Sequence, residues 1–452
     1  MSIKNNAQFK PEHSMQWMGW KNAPVKIISG QLFWILLISG IVKWIYYSVL
    51  LTTADTDTTS YLKYHANILK GETDALRTPV YPYFIKLIGL FGQQNLNDHV
   101  VAAQCVISFL SIILFYRIVH AAFKNRVLVF AATLVYGVML PVINFDKLVL
   151  TESLSVTCTL LFIYMLVRYL QNPGNLKAAL LSLFVLITIM LRPSFIYLLP
   201  LVIVFWVLRL VIFKKDRKKC LYGLAAAVVV MILIAGYSQL NERNAGFNGV
   251  SVVSNNNQVD VIFRAGIYHY GNDPQVSAAM ESNSKLKPGT RGINIMKKYA
   301  PDRMHRFIIT CIKNQPVAYT RYLFTKMIDL RSANIFAMYA NFNSGPLARQ
   351  MDFIQKAVFH INFIFLWWFV ALSFLLIIVE WISWKQTPWL SLVLWLLIAA
   401  QIAVAIAGGY SEYQRLILPA MPALVIVLFY YIDRLWVVIG VEKSSLSLKF
   451  PS

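Results

Sequence analysis

Apolar runs long enough to cross a bilayer recur from near the start of the chain to near its end, and this most constrains the fold. A helix needs about 20 predominantly apolar residues to span a membrane. Such runs lie at roughly 27–50, 99–120, 127–144, 152–169, 177–191, 194–213, 221–240, 356–381, 387–407 and 416–437. The run at 177–191 is short and ends at Leu191-Arg192-Pro193. Composition agrees: 58% of the 452 residues are hydrophobic and only 14% charged, against about 45–50% and 25% in a soluble domain. An ordinary soluble enzyme is excluded. So is a disordered basic chain, because 14% of the residues are aromatic and the apolar ones cluster. The expected fold is an all-α polytopic membrane protein of about ten transmembrane helices, with a mixed extracytoplasmic loop domain.

The net charge of +22 needs no nucleic acid to explain it, since Lys and Arg collect at cytoplasmic helix ends. With a cytoplasmic N-terminus, the inner segments hold Lys4, Lys10, Lys21 and Lys26, then Arg117, Lys124 and Arg126, then Arg168 and Lys177. The basic run Lys214–Lys219 follows, and Lys385, Arg434 and Lys443 come last. The short outer turns hold only Lys147. Both termini are therefore expected inside. The organisation reads as an amphipathic cytoplasmic N-terminus at 1–26, a transmembrane bundle at 27–240 with a first outer loop at 51–98, and an extracytoplasmic domain at 241–355. C-terminal transmembrane helices at 356–440 and a cytoplasmic tail at 441–452 complete it. The N-terminus does not read as a cleavable signal, and Trp17 and Trp20 suit an interfacial anchor. The cysteines Cys105, Cys158, Cys220 and Cys311 form no disulfide framework, and the seven histidines show no metal-ligand spacing.

On this topology the unusual polar residues gather on the outer face. Asp55 and Asp57 follow the first run, and Arg77-Thr78-Pro79-Val80-Tyr81-Pro82 comes after them. Asp146 and Lys147 precede Thr151-Glu152-Ser153. Arg192-Pro193 marks a later turn, and Tyr410-Ser411-Glu412-Tyr413-Gln414-Arg415 the last. Charges at the end of an apolar helix are costly unless paired or facing water. Acids and arginines recurring at one membrane face suit an anionic, membrane-embedded substrate, because arginine grips phosphate through paired hydrogen bonds. A carboxylate there can act as general base or hold a divalent metal. Each residue also has a plainer reading. Asp55 and Asp57 can cap a helix near Tyr61, and Glu152 can complement a helix dipole. Arg192 can mark a turn, Arg415 can snorkel, and Asp146 can pair with Lys147.

In this order the residues resemble the GT-C class of integral-membrane glycosyltransferases, which includes protein O-mannosyltransferases and the aminoarabinose transferases of lipid A. The matching motifs are Asp57-Thr58-Thr59-Ser60-Tyr61 with Ala66 and Gly71 beyond it, then Arg77–Pro82, Thr151-Glu152 and Arg192-Pro193. The last is Arg415-Leu416-Ile417-Leu418-Pro419-Ala420-Met421-Pro422. The likeness covers most of the first 215 residues and the last 45 or so; 241–355 shows nothing diagnostic. Many relatives carry Asp-Glu after the first span where this chain has Asp55-Thr56-Asp57. Either aspartate is thus a candidate base, and the spacing to Tyr61 favours Asp57.

The resemblance implies a sugar donor carried on a polyprenyl phosphate, undecaprenyl in a bacterium, and an envelope glycan, lipid or protein hydroxyl as acceptor. The enzyme would sit in the bacterial inner membrane with its site facing the periplasm, among membrane lipids. Asp57 would take the acceptor proton in an inverting displacement. Arg77, Arg192 and Arg415 would neutralise the donor phosphate, Glu152 would support Asp57, and Tyr61, Tyr81 and Tyr410 would line the sugar or acceptor pocket. The resemblance leaves metal use open; a divalent ion would fall to Asp57 and Glu152. The competing readings are a transporter or flippase of lipid-linked sugar, a glycan polymerase or ligase, and a membrane scaffold.

Overall fold

The computed structural model describes residues 30–54, 56–212, 216–286, 290–336, 342–384, 388–408 and 413–447. Trp17, Trp20, Asp55 and Tyr410 lie outside them. Among the described residues the fold is helical, and β-structure is confined to isolated bridges such as Thr53 to Leu148. Among the described residues, eight helices are long and apolar enough to cross a membrane. They are Gly30–Val49, Leu96–Ala122, Glu152–Gln171, Pro193–Ile212, Arg217–Ala245, Phe363–Ile382, Trp389–Gly408 and Tyr413–Trp436.

The run expected at 127–144 is a bent pair, Arg126–Gly137 and Leu140–Asp146, with 42° between them. Pro141 sits in the first turn of the second piece and has no amide to continue the first. The run at 177–191 is a 17-residue helix, Asn175–Leu191, shorter than a full crossing. It stops where Pro193 drives the preceding Arg192 into an extended conformation (φ −150°, ψ 114°). The expected start of the 356–381 span is corrected, because residues Pro346–Val358 form a separate amphipathic helix and the span begins at Phe363.

Close packing ties the bundle together. A Cβ on Gly223 would lie 2.3 Å from the Trp206 ring, so only glycine admits that indole. Trp206 Nε1 donates to Ser182 Oγ at 2.8 Å, and Ser182 in turn donates to the Gly223 carbonyl at 2.8 Å. Large residues such as Trp34, Trp44, Phe365 and Trp368 stay exposed on the outer surface of the bundle, as lipid contact requires. Charges inside the bundle are paired: Arg209 with Asp216 at 3.1 Å, and Glu380 with the Tyr430 hydroxyl at 2.6 Å.

The described residues of 246–358 fold mainly into short helices, and several begin with proline at the first helical position: Pro274–Ser282, Pro301–Asn314, Pro316–Asp329 and Pro346–Val358. Val259, Ile262, Val276, Met280, Ile295, Met304, Phe307 and Cys311 form a core of their own there. The stretch is tied to the bundle by Gln258, which donates to the Ala407 carbonyl at 2.9 Å, and by Gln355, which accepts from Tyr46 and Asn144 at 3.2 and 3.0 Å.

Candidate active site

One end of the bundle gathers residues from five distant segments. Asp57 lies in the first turn of the short helix Thr56–Leu62, where an acid complements the helix dipole. Arg77 precedes the helix Val80–Gly89 that Pro79 caps. Glu152 is the first residue of its span. Arg192 occupies the extended residue before Pro193, and Arg415 lies in the five-residue helix Tyr413–Ile417.

These five charges alternate in sign through direct contacts. Arg77 Nη2 reaches Asp57 Oδ1 at 2.5 Å, and Arg415 Nη2 reaches Asp57 Oδ2 at 2.9 Å. Arg415 also donates through Nε to Glu152 Oε1. Arg192 Nη2 approaches the same Glu152 oxygen at 3.2 Å. Glu152 is fully buried, and the side chains of Arg192 and Arg415 are each 9% exposed. The Asp57 side chain keeps 31% of its surface open. It is the carboxylate that a molecule arriving from outside can reach. Burial pushes the Asp57 carboxyl upward, but the Arg77 and Arg415 guanidiniums outweigh it and hold the group below the usual carboxylate range.

The aromatic wall behind this row is tightly held. Arg77 stacks over the Tyr61 ring at 4.3 Å and donates to the Tyr61 hydroxyl at 3.1 Å and to Ser60 Oγ at 2.6 Å. Tyr61 meets Tyr81 edge-to-face at 4.9 Å. Tyr81 is fully buried and donates its hydroxyl to Gln104 Oε1 at 2.7 Å. Tyr81 thus packs behind Tyr61.

Asp57, Glu152, Arg77, Arg192, Arg415 and Tyr61 are thus brought together. Asp146 does not pair with Lys147. It accepts from Lys43 Nζ at 3.0 Å instead. Lys43 and Gln104 are not singled out in the sequence. An ionisable residue inside the first apolar run is the signal that marks Lys43; nothing local marks Gln104.

Among the described residues the acids of the row are Asp57 and Glu152, and the Arg415 guanidinium lies between them. Among the described residues no cluster of three or more His, Cys, Asp or Glu could hold a metal.

Residues 76–236 match the family profile described as dolichyl-phosphate-mannose-protein mannosyltransferase. The match is confined to this segment. It takes in Arg77, Glu152 and Arg192 and stops short of Asp57 on one side and Arg415 on the other. No curated protein matches the chain. Solved structures similar to it include the archaeal oligosaccharyltransferase AglB from Archaeoglobus fulgidus in complex with an inhibitory peptide and a dolichol-phosphate. That match has a TM-score of 0.47 at 11% identity, covering 91% of this chain and 51% of that one. The apo form of the Archaeoglobus fulgidus enzyme gives 0.48 at 11% identity, over 91% and 52%. The chain spans about half the length of those structures.

Proposed function

We propose that the protein is a membrane glycosyltransferase that moves a sugar from a polyprenyl phosphate to a hydroxyl acceptor on the extracytoplasmic side. The observation that carries this reading is the row Arg77, Asp57, Arg415, Glu152, Arg192, with Asp57 as its accessible acid.

The charge of the row fits the reaction. Three guanidiniums against two carboxylates leave one net positive charge, the complement of a sugar phosphodiester. As the acceptor oxygen attacks the anomeric carbon, the bond from that carbon to the phosphate oxygen breaks. The electron pair leaves with the phosphate, which gains a second negative charge. Asp57 takes the acceptor proton in the same step and becomes neutral, so the row then carries two net positive charges. Substrate and product phosphates are each matched in turn. Cations fixed in a dry site where charge develops supply the largest catalytic term. Attack opposite the leaving phosphate inverts the anomeric centre.

In the structure both Asp57 oxygens are occupied by guanidiniums. A donor phosphate that draws Arg415 toward itself frees one oxygen to accept a proton. Tyr61 and Tyr410 are assigned to the sugar and acceptor pocket, and residues 241–355 to acceptor selection. The site is assigned to the periplasmic face of a bacterial inner membrane, on the Lys and Arg bias of the short loops.

The test is transfer by purified wild-type protein from synthetic polyprenyl-phosphate sugars to a mixture of envelope acceptors. Transfer with inversion is expected. Wild type that uses none of these donors ends the reading, and Asp57→Asn transferring at the wild-type rate ends the base assignment. An epitope within 241–355 found on the cytoplasmic side reverses the topology.

A further inference from the structure

Beneath the charged row lies a second polar network that the proposed chemistry does not use. Lys43 sits in the first span and is 4% exposed, six residues before the helix ends at Val49. At about 1.5 Å per residue that places it about 9 Å below the helix end. Its partner Asp146 is fully buried at the end of the bent pair. An isolated charge at either position would be expensive in a membrane; each answers the other at 3.0 Å.

Asp146 does more than neutralise Lys43. Its Oδ2 also accepts from the Tyr47 hydroxyl at 2.6 Å, and its Oδ1 accepts from Ser153 Oγ at 2.6 Å. Ser153 is the residue next to Glu152. The backbone of the same turn is held from the other side: Gln104 Nε2 donates to the Asp146 and Leu148 carbonyls at 3.2 and 2.8 Å. Thr58, the residue next to Asp57, donates through Oγ1 to the Val149 carbonyl at 3.0 Å. Thr53 and Lys147–Val149 exchange backbone hydrogen bonds at 3.1 and 3.3 Å. One short turn, 146–153, therefore carries Glu152 and fixes the neighbour of Asp57, and a buried ion pair anchors it to the first span.

We infer that Lys43 and Asp146 are positioning residues for the reaction: through Ser153 and the 146–149 turn they set the separation of Glu152 and Asp57 that Arg415 bridges. This rests on the glycosyl-transfer reading. Neither residue touches the row itself, so their effect falls on how well the guanidiniums are aimed. A displacement of about 1 Å in a preorganised site can cost about 100-fold in rate.

The experiment compares wild type, the neutral pair Lys43→Met with Asp146→Asn, Lys43→Arg, and Ser153→Ala in the same detergent or nanodisc preparation. The neutral pair leaves no unpaired buried charge and should fold to the wild-type yield. Its kcat should fall about 10- to 100-fold with donor KM within about threefold. Amide exchange of residues 146–153 should become faster, and Lys43→Arg should restore turnover. Ser153→Ala cuts the link from Asp146 to the Glu152 turn; it should lower kcat and, because it strands a buried carboxylate oxygen, should also melt earlier. Full turnover together with unchanged exchange, in the neutral pair or in Ser153→Ala if the pair does not fold, overturns the inference. If wild type transfers nothing, the glycosyl-transfer reading fails by itself, and the exchange comparison still decides whether the ion pair orders this turn.

Discussion

Arg415 Nη2 lies 2.9 Å from Asp57 Oδ2 although the two residues stand 358 positions apart in the chain. The same guanidinium donates through Nε to Glu152, so one side chain from the last membrane segment joins the exposed acid to the buried one. Replacing it should therefore damage both fold and function. Arg415→Ala leaves Glu152, which is fully buried, with Arg192 as its remaining guanidinium partner. Breaking a buried pair costs about 3–5 kcal/mol, and Arg192 should hold the loss toward the lower end. Arg415→Lys keeps the charge but cannot donate through a fork to both acids. Donor use should fall in both variants, and melting temperature should fall more in Arg415→Ala. Thermal melts alongside donor titrations decide this; a wild-type donor KM in both variants removes Arg415 from the phosphate clamp.

The exposed member of the pair behaves differently. Asp57→Asn preserves size but loses one of the two acceptors that Arg77 and Arg415 use, at a side chain 31% open to solvent. The expected loss of stability is about 1–3 kcal/mol. A missing general base costs about 100- to 10,000-fold in rate. A folded but nearly inactive Asp57→Asn, beside an Asp55→Asn of ordinary activity, would separate the two candidate aspartates. The reverse pattern would transfer the base role to Asp55.

Acid titration supplies an independent check on the ion pairs. The Asp57 carboxyl is held below its ordinary range because Arg77 and Arg415 outweigh the cost of burying it. A depressed carboxyl adds stability that is complete above its unfolded value, about 3.9, and is lost as pH falls through the lower folded value. In Arg77→Met one of the two lowering charges is gone. The folded value should then rise, and the acid unfolding midpoint should move to higher pH than in wild type. A midpoint that stays fixed in Arg77→Met would mean that the Asp57 pairing contributes nothing to acid stability.

Much of this arrangement is legible in the sequence for a definite reason. Apolar runs report bilayer crossings directly, and an arginine or acid at the end of such a run stands out against the cost of placing charge there. That is why Asp57, Arg77, Glu152, Arg192 and Arg415 can be picked out before any fold is known. Pairing is less legible, because it depends on which helix ends meet. Asp146 has an adjacent lysine in the sequence, yet takes Lys43 from the first span. Tyr81 belongs to a recognisable motif, but the motif says nothing of which way the ring points. Helix breaks were readable where proline supplies them, as at Arg192-Pro193. The separate helix Pro346–Val358 was hidden because its apolar face reads as a continuation of the following span.

Tyr81 offers the cleanest test of how the wall behind the charged row is built. Its hydroxyl donates to Gln104 Oε1 at 2.7 Å, and Gln104 Nε2 in turn holds the Asp146 and Leu148 carbonyls. Tyr81→Phe keeps the ring against Tyr61 but leaves the Gln104 oxygen, in a fully buried residue, without the tyrosine's proton. An unsatisfied buried acceptor costs about 1–3 kcal/mol. Gln104→Leu removes the acceptor too, yet takes a donor from two backbone carbonyls of the turn, of which Leu148 keeps the Leu150 amide, so it should destabilise more than Tyr81→Phe. If Tyr81 only supports Tyr61, Tyr81→Phe should melt earlier while its donor and acceptor KM stay at wild-type values. A raised KM with unchanged melting would place Tyr81 in the sugar pocket, with its hydroxyl turned toward substrate.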